Sequence, residues 1–385
     1  MLNPANDTGS IAHDDELDFF PMSVVEAGKS VAATAETRPF SEVQKGYTCF
    51  ADGDVLLAKI TPCFENGKIA EARVRSEFAF GSTEFHVLRP QPQKLDTRYL
   101  VNFLRRDTVL IEGERKMTGS VGQRRVPNHF LESLQIPLPD LAEQRRIAAI
   151  LDKADALRVK RREALDMLDG LANSIFINMF SDPISNVKRW RTVCLSQLAN
   201  RIQIGPFGSQ LHEEDYVDNG IPLVNPMHIR NGHICADVSF TITEEKHKEL
   251  DSYHLEEGDL ILGRRGEMGR CAVVSSREKG WLCGTGSLFV RLKADEVDPV
   301  YLAQVISSPS MRKHLGNVAQ GVTMANLNKN IVGSLTIPVP PMERQRLFKA
   351  AMNEIGVLKA SHGSSLEQAD NLFSSLQHRA FTGAL

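Results

Sequence analysis

Three guanidinium groups sit in one glycine-rich stretch, Gly263-Arg264-Arg265-Gly266-Glu267-Met268-Gly269-Arg270. Arginines on such a turn can fork onto a guanine edge or onto phosphate oxygens, so the chemistry on offer from Arg264, Arg265 and Arg270 is nucleic-acid contact. The plainer reading is a solvated turn. The matching stretch of the N-terminal half offers Lys59, Thr61, Asn66 and Lys68, although Asn66-Gly67 is equally the signature of a turn with positive φ. A second pair of polar loops carries Lys116, Thr118, Arg124 and Arg125 in one half and Gln320, Thr323, Asn326 and Lys329 in the other. Each of these precedes a Ser-Leu-x-Ile-Pro sequence, at Ser133 and at Ser334. The four groups together are the candidate DNA-contacting residues.

Other chemistries find little support. Gly205-Pro206-Phe207-Gly208-Ser209-Gln210 could cradle phosphate with backbone N–H groups, but it lacks the lysine and spacing of a P-loop and reads better as a structural turn. There is no Asn-Pro-Pro-aromatic sequence, no methyl-donor glycine loop, no Walker A sequence and no convincing paired-carboxylate nuclease pattern. The expectation is a non-catalytic chain without a cofactor or metal of its own. Its six cysteines form no CxxC pair, which favours reduced thiols over a disulfide framework or zinc site. A net charge of -3 excludes a whole-protein basic field, so any DNA-binding surface must be local. The polar, acidic start and the absence of a run of roughly 20 apolar residues point to a cytoplasmic protein without a membrane segment.

The elements that must position these loops are repeated. Residues 133–182 return without a gap at 334–383, an offset of 201 residues that still holds at Phe180 and Phe381. A repeat this long means two similar modules. Up to about residue 135, and again from 186 to 335, short β-like runs such as Asp54 to Ile60 and Asp259 to Leu262 alternate with Gly, Pro and Asn turns and are followed by a helical pattern. After each comes a helical segment with apolar residues in steps of three and four. They are Ile147, Leu151, Ala154 and Leu157, then Leu165 to Met179, and in the second copy Phe348, Met352, Ile355 and Leu358, then Leu366 to Ala380. So narrow a seam needs a partner helix, and the other copy is the obvious one. Arg161 and His362 interrupt the two seams at the same place, either fixing register or marking a break, which Gly363 makes plausible in the second copy. The expected fold class is α/β (α+β), with two loop-rich α/β domains in pseudo-twofold tandem repeat and two long helical spacers packed as an antiparallel coiled coil. The expected boundaries are 1–135, 136–185, 186–335 and 336–385.

Ile136-Pro137-Leu138-Pro139, followed by Leu141-Ala142-Glu143-Gln144-Arg145-Arg146-Ile147 and Leu151-Asp152-Lys153-Ala154-Asp155, resembles the central spacer of the specificity subunit of type I restriction-modification enzymes. Gly53-Asp54-Val55-Leu56-Leu57-Ala58-Lys59-Ile60-Thr61-Pro62-Cys63 and Gly205-Pro206-Phe207-Gly208-Ser209 resemble motifs of that family's target-recognition domains. The resemblance covers essentially the whole chain. It implies that each target-recognition domain reads one half of a bipartite asymmetric site in double-stranded DNA, while the helices set the distance between the halves. It also implies two modification (methyltransferase) subunits that carry S-adenosylmethionine, and restriction (translocating nuclease) subunits that can join them. Gln144, Arg145, Arg158, Arg161, Gln345 and Arg346 are then the candidate partner-docking residues. The alternative is a helical scaffold of a DNA-defence complex that does no reading of its own.

One asymmetry is expected. Aligning Phe20-Pro21-Met22 with Ile221-Pro222-Leu223 at the same offset leaves Trp190 to Arg201, with apolar Trp190, Val193, Leu195 and Leu198, without a counterpart in a first domain whose start is shortened. A facing apolar surface should then be uncovered.

Overall fold

The computed structural model describes the chain except for Thr34, Ala35, Val121, Gly208, Ser209, Ala236, Val238, Ala294 and 320–325, and except for the side chains of Glu213 and Ala319. The chain divides into two compact units, Met1–Ala164 with His362–Leu385, and Leu165–Ser361. Each unit holds one mixed domain and segments of two long helices.

In the first unit the strand Val55–Ala58 is buried along its whole length. Val55 and Leu57 face a core shared with Tyr99, Val101 and Phe103, whereas Leu56 and Ala58 face Phe20, Phe50 and Phe85. A strand covered on both faces reads as a continuous apolar run, and that is why Val-Leu-Leu-Ala stands here. It is central in a sheet ordered Val31–Ala33, Ile69–Arg73, Val55–Ala58, Phe85–Leu88. A second sheet pairs Glu16–Phe20 in parallel with Phe78–Gly81.

The second unit repeats this plan. Leu260–Gly263 lies between Ser287–Leu292 and Cys271–Val273, its Leu260 and Leu262 facing one core and its Ile261 another. Ile221–Val224 pairs in parallel with Leu282–Cys283. Buried Asp54 and Asp259 precede the two central strands and take bidentate hydrogen bonds from Arg89, at 2.7 and 2.6 Å, and from Arg291, at 2.9 and 2.8 Å. The Gly-Asp sequence before each strand is therefore a structural device, since the buried carboxylate also caps its own turn through Ala51 N–H or Glu256 N–H.

The sheets correct one expected alignment. Val224, not Ile221, stands where Phe20 does, because the carbonyl of Phe20 accepts from Ser82 N–H and that of Val224 from Gly284 N–H, each at the end of the parallel pair. The 201-residue offset belongs to the spacers, and loops of unequal length shift it within the domains.

The long helices are Leu141–Phe180 and Met342–Thr382, of 40 and 41 residues, and the second runs through Gly363 without a break. They are antiparallel within each unit. In the first, Arg158 and Arg162 both donate to Asp370, Arg146 to the carbonyl of Leu385, and Arg161 lies 3.2 Å from His362. In the second, Phe348 packs on Phe176 and Phe180 with ring centroids 5.7 and 5.5 Å apart, and Lys359 pairs with Asp169. The polar residues that interrupt the two seams thus meet each other.

The start of each long helix is clamped to its domain by a buried glutamine. Gln144 accepts from Asp96 N–H and donates to the carbonyls of Lys94 and Pro139. Gln345 accepts from Asp298 N–H and donates to Pro340. Losing either amide would orphan buried backbone groups at about 1–3 kcal/mol each.

The units differ at one edge. Thr336–Val339 pairs with Arg191–Cys194, and Leu335 and Ile337 are buried there. Among the described residues no strand pairs with Gln135 to Leu138, where Ile136 is half-buried and Leu138 is 57% exposed. Leu2, bridged to Leu88, stands where Ile202 pairs with Val290 in the corresponding sheet of the second unit. Among the described residues no helix is long and apolar enough to cross a membrane.

Candidate nucleic-acid interface

Each domain brings its two polar loops to one place. In the first, Val126 N–H donates to Lys59 and Thr61 N–H to Arg124, while Thr118 and Arg125 exchange backbone bonds at 3.0 and 2.8 Å. In the second, Leu327 N–H donates to Arg264, whose Nε returns a bond of 2.9 Å to the carbonyl of Leu327. Segments separated by about sixty residues are thus stitched at the same strand end, just beyond Val55–Ala58 or Leu260–Gly263.

Many of the expected contact side chains are already engaged. Arg125 forks onto Glu84 at 2.9 and 2.7 Å, which holds the Glu84 carboxyl below its ordinary range. Arg124 lies 3.4 Å from Glu114 and 3.6 Å from Glu65, the latter also taking the Thr61 hydroxyl at 2.8 Å. Lys68 donates to the carbonyl of Met22 at 3.4 Å, and Gly67, at φ 68°, closes the turn after Asn66. In the second domain burial lowers the pKa of Arg264, whose guanidinium also reaches the carbonyl of Thr285. Arg270 is held by the carbonyl of Pro226 and by Glu267, which pairs with Arg312 as well.

The groups left open are fewer. Asn66, Lys116 and Thr118 are exposed and Lys59 is partly exposed; Arg265 and Lys329 are exposed in the second domain. Lys329 opens the helix Lys329–Gly333, capped by Asn328. Asn326 is half-buried, and Gln320 and Thr323 lie outside the described residues, as do Gly208 and Ser209 of the glycine-rich turn.

Sequence reasoning missed a further exposed pair. Ile229–Arg230 and His233–Ile234 form a hairpin that sets Arg230 opposite His233 across Asn231 and Gly232, both at positive φ. The Asn-Gly pair between isoleucines was the available signal.

On the spacers, Gln144 and Gln345 have no exposed surface, being spent on the clamps. Arg145 and Arg346 are exposed. Arg158 is largely covered, bonded to Asp155 and Asp370 and lying 4.3 Å from the Phe373 ring centroid. Arg161 is exposed beside His362.

The contact between domain and spacer differs between the units. In the first, Arg98 pairs with Asp152 at 2.8 Å, and Arg105 pairs with Asp155 at 3.5 Å and donates to Ser30. Burial pulls the Arg105 pKa down and Asp155 opposes the shift. The matching residues of the second unit, Val300, Asn353, Ser307 and Gly356, instead line an open cleft of about 1420 Å³.

The chain matches the model of the type I restriction modification DNA specificity domain twice, over residues 23–166 and 188–354. It is 37% identical over 171 residues to the type I restriction enzyme EcoEI specificity subunit of Escherichia coli, a match covering 43% of this chain and 29% of that protein. The chain thus spans under a third of the length of the first curated relatives it matches. It is 20% identical to the putative type I restriction enzyme MjaX specificity subunit of Methanocaldococcus jannaschii, over 86% of this chain and 78% of that one. The type I restriction-modification S subunit of M. genitalium, 15% identical, superposes with a TM-score of 0.58 over 99% of this chain and 93% of its own, a likeness of fold. With both repeats matched by one model, the chain belongs to the type I restriction modification DNA specificity family.

Proposed function

We propose that this chain is the non-catalytic, sequence-reading component of a type I restriction-modification complex, each domain reading one half of a bipartite, asymmetric site in double-stranded DNA. The observation that carries the reading is the joining of two polar loops at one strand end in both domains, with different open side chains: Lys59, Asn66, Lys116 and Thr118 in one, Arg265 and Lys329 in the other. Equivalent frames with unequal contact groups suit two different half-sites.

Two methyltransferase subunits dock on the spacers and bring S-adenosylmethionine with them; restriction subunits join that assembly. The support is a duplicated apolar surface. Leu157 and Leu372 in the first unit, and Leu358 and Leu171 in the second, are related by the repeat and each is about half exposed. Two equivalent surfaces accommodate two copies of one partner.

The test is DNA binding and methylation by the assembled complex at stated salt. Arg265→Ala should cost about 1–3 kcal/mol of discrimination, confined to one half-site. Equal affinity of the unsubstituted complex for its site and for random duplex would sink the reading.

A further inference from the structure

Arg125 stands where the two polar loops of the first domain are joined. Its backbone exchanges hydrogen bonds with Thr118 and bridges to Ile60, while Val126 N–H donates to the Lys59 carbonyl. The guanidinium is held as firmly. Nε donates to Glu84 Oε2 at 2.9 Å, Nη2 to Glu84 Oε1 at 2.7 Å and Nη1 to the carbonyl of Gln123 at 3.2 Å. Glu84 is fixed in turn, since its carbonyl accepts from Lys59 N–H at 2.8 Å and its own N–H donates to the Ser82 hydroxyl at 3.2 Å. Segments far apart in sequence thus converge on one side chain.

The pairing leaves that side chain usable. Arginine carries five N–H donors, and with one spent at each nitrogen each terminal nitrogen keeps another. The Arg125 side chain is 42% exposed, against 23% for Glu84. Rotamer freedom that a loose arginine would lose on binding is lost here on folding, so the planar group is presented already oriented. Two donors on one plane match the O6 and N7 acceptors of guanine in the major groove. A phosphate fits less well, because the Glu84 carboxylate beside the guanidinium repels a second anion, whereas a neutral base edge meets no such repulsion.

We propose that Arg125 is a guanine-reading residue of the first domain's half-site and that Glu84 is its positioning residue. The proposal rests on the DNA reading above and adds to it a base and a groove. Engagement with Glu84 is then what makes Arg125 selective, not what removes it from the interface.

The test uses the assembled methyltransferase complex and its own site, located by methylation mapping, in competition binding at stated salt. One half-site should contain a G·C pair at which Arg125→Ala lowers discrimination roughly five- to a hundredfold, every other position being read as before. Replacing that guanine by 7-deazaguanine, which lacks the N7 acceptor, tests the contact without altering the chain. It should weaken the unsubstituted complex roughly tenfold and the Arg125→Ala complex not at all. Inosine, which keeps O6 and N7 and loses only the minor-groove amino group, should bind as guanine does. Glu84→Gln should lower the guanine preference severalfold without weakening binding to random duplex, a split that general loosening of the domain does not produce. If Arg125→Ala weakens site and random duplex alike, Arg125 is a phosphate contact and the proposal falls. It falls too if no guanine of either half-site responds to 7-deazaguanine through Arg125. A complex with no preference for its site over random duplex would instead sink the reading of the chain as a sequence reader, and this proposal with it.

Discussion

The two units are built on one plan and hardened by different means. In the second, Phe176, Phe180, Phe348 and Tyr301 form an aromatic knot with ring centroids 4.8 to 5.9 Å apart. The first keeps Tyr99 and Phe381, 5.0 Å apart, but has Ile147 for Phe348 and Gln377 for Phe176. It joins domain to spacer with ions instead, Arg98 to Asp152 and Arg105 to Asp155, where the second unit leaves a cleft. Duplicated backbones can thus share clamps such as Gln144 and Gln345 while the contacts around them diverge freely.

The sharpest way to break this comparison is Phe176→Ala. It empties a fully buried ring site and should cost the second unit about 3–5 kcal/mol, against about 1–2 kcal/mol for Gln377→Ala in the first, whose amide makes one bond of 3.3 Å to the Asn102 carbonyl. Unit-resolved hydrogen exchange measures both, and equal losses would show that the knot is no stronger than its polar counterpart.

Next comes Asp155→Ala. It strands the largely buried Arg105 and should destabilise the first unit by about 3 kcal/mol, whereas Asn353→Ala in the open cleft should stay within about 0.5 kcal/mol. Denaturant unfolding of each variant compares them. A loss below 1 kcal/mol for Asp155→Ala would mean that water replaces the ion pair at about the same free energy.

The smallest effect is a pH dependence peculiar to the first unit. Burial raises the Glu71 pKa above 4.5, Arg73 and Arg98 offsetting it only in part. With its folded pKa above the unfolded one, Glu71 favours the fold below the unfolded pKa, and that contribution is lost as pH rises through the folded value. Glu71→Gln should therefore raise the unfolding midpoint of the first unit near pH 7, by a few degrees at most, and leave it unchanged or lower near pH 4. A melting series over pH 4–8 checks the sign.

The duplication, the helical seams and the buried strands were legible because periodicity and repetition are local properties of a sequence. The meeting of Arg161 with His362 followed from them. Which arginines are free was not legible: Arg125 and Glu84 are 41 positions apart, and Arg264 is fixed by a carbonyl 63 positions away. Nor did Gln144 and Gln345 announce themselves, since a Gln-Arg pair in a helix's first turn looks like surface until the domain folds over it. The offset misled at Phe20 because loop lengths accumulate differences that helices do not.

The composition of the units has a consequence for synthesis. Residues 165–361 make up the second unit as one contiguous stretch, whereas the first unit joins 1–164 to 362–385. At about 5–20 residues per second, a ribosome takes roughly 10–40 s to make the intervening two hundred residues. The first domain must wait through that interval with Leu151, Tyr99 and Phe103 lacking the Phe381 side of their core. The part made first is the part finished last, and a chaperone that shelters nascent chains would meet this protein through its N-terminal half.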